Sequence, residues 1–496
     1  MITALPILIP LFIVVLLLPG LGNTRWLKSI GIAGAFASFV VNVIIFINVR
    51  SEGMLVMQAG GWTAPYGITI AIDLLSAVLL VFTSFTAFVV ALYSLNGLPE
   101  NYHKNKFFLF FHTLMMGVSG AFIAGDIFNM YVWFEVMLIS SFVLITLGGR
   151  FKQLEGAVKY VTMNLMGSFF FLAAIGLIYG KTGTLNMADL SLILREHEQS
   201  FLMYSSFVLF FIAFAVKAAV FPFFFWLPSS YHTPPVAITA LFAGLLTKVG
   251  VYAMIRFTTL FLLYLTPFWQ NLLLIAAGST MVIGVLTAAA QYDIRRILSF
   301  HIISQIGYMI MGLAFFSIFG IAAAVYFLIH NVLAKTGTFL AGGLIHRKTG
   351  SFHLRSIGGL FKNNPWMGLI FFLPAMSLAG LPPLSGFFGK LFLIKGGFES
   401  GNYIITAISV WVGIVTLFSM LKIWNEAFWK PRPDDAPVIS YKRLNPSLII
   451  PVGLFALATL ALGLSAGWFM EILTDAAESL KNPEVYIRTV LPKTPF

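Results

Sequence analysis

The stretch FFIAFAVKAAVFPFFFWLP, from Phe210 to Pro228, is apolar nearly throughout but carries Lys217 at its centre and Pro222 five residues later. A lysine at the middle of a membrane helix costs roughly 2.5–3.5 kcal/mol on insertion scales. A proline inside a helix removes a donor, frees a carbonyl and kinks or breaks the helix. Two costly features this close together mark a working segment of a membrane-spanning helix.

Composition extends that reading to the whole chain. Of 496 residues, 59% are hydrophobic and 10% charged, with a mean hydropathy of +0.93, whereas a soluble protein has about 25% charged residues. Apolar runs long enough to cross a bilayer recur from end to end. The net charge of +12 does not point to nucleic acid, because the basic residues sit in short loops where they set membrane orientation. The absence of cysteine excludes disulfides, cysteine zinc sites, iron–sulfur clusters and thiol catalysis. The first apolar run, Ile2 to Leu18, lacks a preceding basic residue and a small-residue cleavage pattern, so it reads as a retained span.

Fourteen spans are expected, near 3–22, 27–48, 71–95, 107–125, 127–148, 157–180, 203–227, 235–257, 268–290, 298–319, 321–345, 366–395, 403–425 and 448–470. One set of alternate loops holds Arg25, Lys28, Lys104, Lys106, Arg150, Lys152, Arg295, Arg296, Arg347, Lys348, Arg355, Lys362, Lys430, Arg432, Lys442 and Arg443. The other holds Arg50, Lys181, Arg195, Arg256 and a few tail residues. The first set is therefore read as cytoplasmic and both termini as outside. The tail after Trp468 is too short for a soluble domain or a long lateral helix.

Ionisable residues inside spans carry the functional signal. Glu135 lies in span 5, Lys159 near the start of span 6, Lys217 in span 7, Lys248 in span 8, His330 and Lys335 in span 11, Lys390 in span 12 and Lys422 near the end of span 13. Lys159 and Lys422 fit snorkelling equally well. Spans 7 and 12 both pair a lysine with proline, Lys217 with Pro222 and Lys390 with Pro382 and Pro383. Three lysine pairs (Lys159 and Lys335, Lys217 and Lys390, Lys248 and Lys422) have nearly equal spacing, which reads as an internal repeat. Interrupted spans at matching places in two halves indicate inverted repeats around a midplane pathway. Spans 4–8 and 9–13 would be the repeats, inverted because five is odd. This gives expected units at 1–106, 107–265, 266–430 and 431–496.

Glu135 reads as the one carboxylate deep in a span, so it needs a cationic partner, and Lys217 leads. Near a carboxylate a lysine keeps its proton; moved away, desolvation favours releasing it. Lys248, His330, Lys335 and Lys390 would continue such a relay. Asp73 and Asp126 read as helix caps, Asp293 with Arg295 and Arg296 as a topology signal, and His112 and His301 as packing histidines. Sodium, a hard cation, prefers several oxygen ligands, so a lysine-lined route carries protons and a sodium path belongs on another chain. No P-loop, nucleophile or HExxH motif is present, and no cofactor is expected.

FEVMLISS with Glu135, AVKAAVFPFFFWLPSSYHTPP with Lys217, LLTKVGVYAMIRF with Lys248, QYDIRRILSFHIISQIGYM, and SLAGLPPLSGFFGK with Lys390 resemble the antiporter-like, proton-translocating membrane subunits shared by respiratory complex I, membrane-bound hydrogenases and Mrp-type cation/proton antiporters. The likeness runs from span 3 to span 13. It implies an all-α polytopic membrane protein of 14 transmembrane helices with inverted five-helix repeats and broken spans 7 and 12. It also implies a Glu135–Lys217 pair, a central Lys248, a terminal Lys390, and His330 and Lys335 as linkers between half-channels. The chain looks most like the D-type subunits of Mrp antiporters, with a complex I or hydrogenase subunit as the alternative. A D-type subunit implies a bacterial plasma membrane, Na+/H+ exchange, and membrane partners of the A, B, C, E, F and G types.

Overall fold

The computed structural model describes residues 2–20, 22–196, 201–262, 266–433 and 444–491; the basic-loop residues Lys442 and Arg443 lie outside them. The first spans are α1 (Leu5–Leu17), α2 (Thr24–Glu52) and α3 (Leu74–Gly97). Between α2 and α3 an antiparallel hairpin forms from β1 (Leu55–Gln58) and β2 (Thr69–Ile72), with Leu55 opposite Ile72. The hairpin has no counterpart among the expected elements. It is anchored on the face opposite the basic loops, where Gly125 N–H donates to the Thr69 carbonyl and Asn186 to the Thr69 hydroxyl.

A short α4 (Glu100–Lys104) leads into α5 (Phe107–Ile123), α6 (Ile127–Thr146) and α7 (Phe151–Thr182). A short α8 (Met187–Glu196) precedes α9 (Phe201–Ala218), α10 (Trp226–Ser230) and α11 (Val236–Phe261). The second half runs through α12 (Pro267–Ala290), α13 (Ile294–Ala314), α14 (Ile318–Thr349), the one-turn α15 (Leu360–Asn363), α16 (Pro365–Ala379), α17 (Ser385–Glu399) and α18 (Tyr403–Trp424). Then come α19 (Pro446–Leu464), α20 (Ala466–Lys481) and α21 (Pro483–Val490).

Among the described residues ten helices are long and apolar enough to cross a membrane, and four shorter apolar helices fill the remaining expected spans. Burial ranks them. The apolar windows of α11 and α13 are wholly buried and that of α14 is 89% buried, against 28% for α2 and 33% for α7. So α11, α13 and α14 form the centre, and α2 and α7 turn most of their surface to lipid or to other chains.

The two broken spans are real and are copies of each other. In span 7, Val220 N–H reaches back to the Ala215 carbonyl and Ala219 N–H to that of Val216. In span 12, Leu381 N–H reaches the Met376 carbonyl and Gly380 N–H that of Ser377. These bonds have the same spacing in both spans, and the matching residues Ala219 (φ 59°) and Gly380 (φ 96°) both enter the left-handed region. The repeat extends upstream. Asp126 and Asp293 cap α6 and α13, Gly183 and Gly350 end α7 and α14 in left-handed conformation, and both pairs stand 167 residues apart (293 − 126 and 350 − 183).

This register corrects the lysine spacing read from the sequence. Lys217 aligns with Leu378 at the second break, not with Lys390. Lys390 follows its break, on α17, while Lys217 precedes its own, on α9. Lys159 is exposed and pairs with Glu155 at 2.6 Å. The lysine intervals coincide without structural equivalence, whereas the caps and breaks carry the repeat.

The tail differs from expectation too. Span 14 ends at Leu464, and two amphipathic helices, α20 and α21, come after it. They fold back: Asp475 pairs with Arg50 at 2.5 Å, and Phe469 packs edge-on against Phe82.

Candidate functional site

A helix that stops inside the bilayer leaves carbonyls without partners and concentrates negative potential at its C-terminal end. Each break makes such an end, and a lysine stands near each. Lys217 lies in the last turn of α9. Lys390 reaches from α17 back to the end of α16, donating to the carbonyls of Leu378 at 3.0 Å and Ala379 at 2.7 Å. Its Nζ also lies 5.6 Å from the Tyr308 ring centroid, and Tyr308 donates to the Ser409 carbonyl.

Lys217 has no such acceptors. It is 6% exposed, and its Nζ stands 5.7 Å from the centroid of Phe134, the neighbour of Glu135 on α6. Glu135 is close enough for its charge to act on Lys217, but the two form no direct ion pair, and Glu135 Oε1 is buried without a hydrogen-bond partner. The expected contact pair is a pair at a distance. At the break itself, Val216 offers its carbonyl to the Trp226 indole at 3.0 Å, which fastens α10 to the end of α9.

Lys248 projects from the middle of α11, donates to the Ala243 carbonyl at 2.5 Å and is 2% exposed. Gly250, two residues on, sets its distance from the first break: a Cβ there would stand 2.7 Å from the Ala218 nitrogen, so only glycine lets α11 pass this close to the end of α9.

On α14, His330 and Lys335 are fully buried. His330 Nδ1 bonds Ser385 Oγ at 2.9 Å, while its Nε2 and the Lys335 ammonium have no partner. The charges of Lys248, Lys335 and Lys390 all act on His330. Gly386 lets the second break press against this histidine, since a Cβ would come within 2.8 Å of His330 Cε1. Lys248, His330, Lys335 and Lys390 are therefore one buried basic group, and Glu135 with Lys217 a second, next to it across Gly250.

The structure adds residues that sequence reasoning misses. His301 and Gln305 on α13 are buried with every side-chain nitrogen and oxygen unpartnered, and Lys335 and Lys390 act on His301. With Tyr308 they stand at helical spacing on one face of a wholly buried helix. Their polarity in an apolar helix is the available signal. A buried polar atom costs roughly 1–3 kcal/mol when unsatisfied, so this polar face is costly to bury.

Asp73 caps α3 as expected, but it also forms a buried ion pair with Arg256 at 2.7 Å, the side chains being 8% and 5% exposed. Asp73 is thus buried as well as capping, and Arg256, expected in a loop, belongs to α11. Tyr252 and Tyr486 flank the guanidinium at 5.5 and 5.6 Å. Lys422, near the C-terminal end of α18, donates to the Ala289 and Gln291 carbonyls and covers Tyr292. No group of metal-ligating side chains occurs among the described residues.

A polytopic bundle with two broken spans and a buried basic file defines a class of ion-translocating membrane subunits. Residues 124–416 match the family described as NADH:quinone oxidoreductase/Mrp antiporter, TM, and the chain belongs to that family. It is 41% identical to the D-type subunit of the Na(+)/H(+) antiporter of Alkalihalophilus pseudofirmus over 98% of each chain. It superposes on a chain of the Mrp complex from Dietzia sp. DQ12-45-1b with a TM-score of 0.92 at 30% identity, covering 99% of each. A chain of the membrane-bound sulfane sulfur reductase, an archaeal respiratory membrane complex, gives 0.91 at 26% identity with the same coverage.

Proposed function

We propose that the chain is the D-type, proton-translocating subunit of a multisubunit Na+/H+ antiporter in a bacterial plasma membrane, with basic loops cytoplasmic and both termini outside. One observation carries the reading: the buried basic groups Lys248, Lys335, His330 and Lys390 share few acceptors, and Lys335 and one ring nitrogen of His330 have none. Structural lysines would be paired with carboxylates. A file of amines and imidazoles without fixed partners takes a proton only with water or a mobile neighbour present, which suits a relay.

In this reading Glu135 stabilises the protonated form of Lys217, and the proton passes from Lys217 to Lys248. His330 and Lys335 carry it on to Lys390 at the second break. The sodium path lies on another chain, and the partners are the A, B, C, E, F and G types. Full-length likeness to a D-type antiporter subunit supports the assignment. Exchange of Glu135 for Gln tests it: antiport in everted vesicles should fall steeply while the complex stays assembled. Wild-type exchange by the assembled variant would sink it. A second reading, a proton-pumping subunit of a redox complex, draws support from the likeness to the sulfane sulfur reductase chain; copurifying flavin or iron–sulfur subunits would favour it.

A further inference from the structure

The face that carries the basic loops contains a cavity of about 400 Å3 apart from the buried relay. Its wall brings together Arg150 at the start of α7, Arg295 in the first turn of α13 and Arg347 in the last turn of α14. Tyr93, Tyr102 and Thr233 add hydroxyl groups to the lining. No carboxylate lines it; Asp293, outside the lining, approaches Arg295 Nε at 3.7 Å.

Arg295 is 23% exposed and lies over the Phe352 ring at 4.0 Å, and its Nε is buried without a hydrogen-bond acceptor. Arg347 is anchored at the rim by donating to the Asn96 carbonyl. Stacking on an aromatic ring fixes the guanidinium plane, so its donors are oriented before any ligand arrives. A loop charge needed only for orientation requires no such support.

Guanidinium forks match phosphate oxygens bidentately, and phosphate bonds to them are charge-assisted. The volume falls within the range of about 300–1,000 Å3 typical of small-ligand sites, and basic pockets between membrane helices take phosphate headgroups. We propose that this cavity binds a phosphate group, which bridges α7 to α13 and α14 and so ties the two halves of the bundle together on the basic face. The phosphate comes either from an anionic phospholipid headgroup or from free inorganic phosphate.

The test uses the whole antiporter complex, purified and placed in phosphatidylcholine nanodiscs with or without phosphatidylglycerol. Radiolabelled inorganic phosphate is titrated in, and retained lipid is read by native mass spectrometry. Saturable phosphate binding that phosphatidylglycerol does not prevent identifies free phosphate. Retained phosphatidylglycerol that phosphate does not displace identifies the lipid. In either case Arg295→Gln with Arg347→Gln should weaken binding by about 10-fold or more, as loss of charge-assisted bonds requires. Arg150→Gln, at an exposed helix start, should weaken it with the bundle intact even if the double variant fails to assemble. Binding of neither species, or binding unchanged in Arg150→Gln, overturns the proposal.

Discussion

The ammonium of Lys390 lies 2.7 Å from the carbonyl oxygen of Ala379, an acceptor left free because α16 stops there. The break and the lysine are thus one device: the backbone supplies a site for a cation that continuous helix would deny. Lys390→Arg keeps the positive charge and can keep the carbonyl contact, but guanidinium does not release its proton. The variant should assemble normally and lose antiport, measured as sodium-dependent collapse of a pH gradient in everted vesicles.

Ala219 holds φ at 59° where its repeat counterpart is Gly380. A left-handed conformation costs a non-glycine residue about 1–2 kcal/mol. Ala219→Gly should therefore raise the thermal stability of the complex in detergent, by about 1 kcal/mol once the greater freedom of glycine in the unfolded chain is set against it. Ala219→Val should lower it by more.

The Asp73–Arg256 pair is buried between α3 and α11. Removing one partner of a buried pair strands the other and costs about 3–5 kcal/mol. Arg256→Met alone should reduce the amount of assembled complex, and Asp73→Leu with Arg256→Met should restore much of it. Quantitative immunoblots of membranes distinguish the two results.

His103 sits in α4, outside the spans, between Phe107 and Phe108, with its Nε2 3.1 Å from the Ser94 carbonyl. Burial, and then the Lys28 charge, push its pKa down to about 4 from the ordinary 6.5. The folded chain keeps this ring neutral while the unfolded chain protonates first, so stability falls as pH drops from 6.5 toward about 4 and levels off below. Melting curves across that window should show the loss, and His103→Asn should flatten it.

Much of this is legible in the sequence, because lipid requires apolar runs and makes buried charge conspicuous. The fourteen spans, the breaks beside Pro222 and Pro382–Pro383, and the burial of Lys217, Lys248, His330, Lys335 and Lys390 are all readable there. The repeat is real but its signal lies in other residues: lysine intervals are easily matched by chance, whereas capping aspartates and left-handed glycines are fixed by backbone geometry. Partnering is not legible. Nothing in the one-dimensional pattern shows that Glu135 stands off Lys217, that Asp73 finds Arg256, or that Lys390 binds carbonyls. The hairpin after α2 escapes because its strands have four residues each, too few for a periodic signal.

The buried lysines either move protons or merely hold helices together, and Lys217→Ala separates the two. Antiport per assembled complex is measured in everted vesicles, with complex abundance quantified in the same membranes. Proton carriage by Lys217 predicts normal abundance and a fall of about 100-fold or more in exchange, the scale of losing a positioned proton carrier. Wild-type exchange per complex, with only abundance reduced, would contradict it.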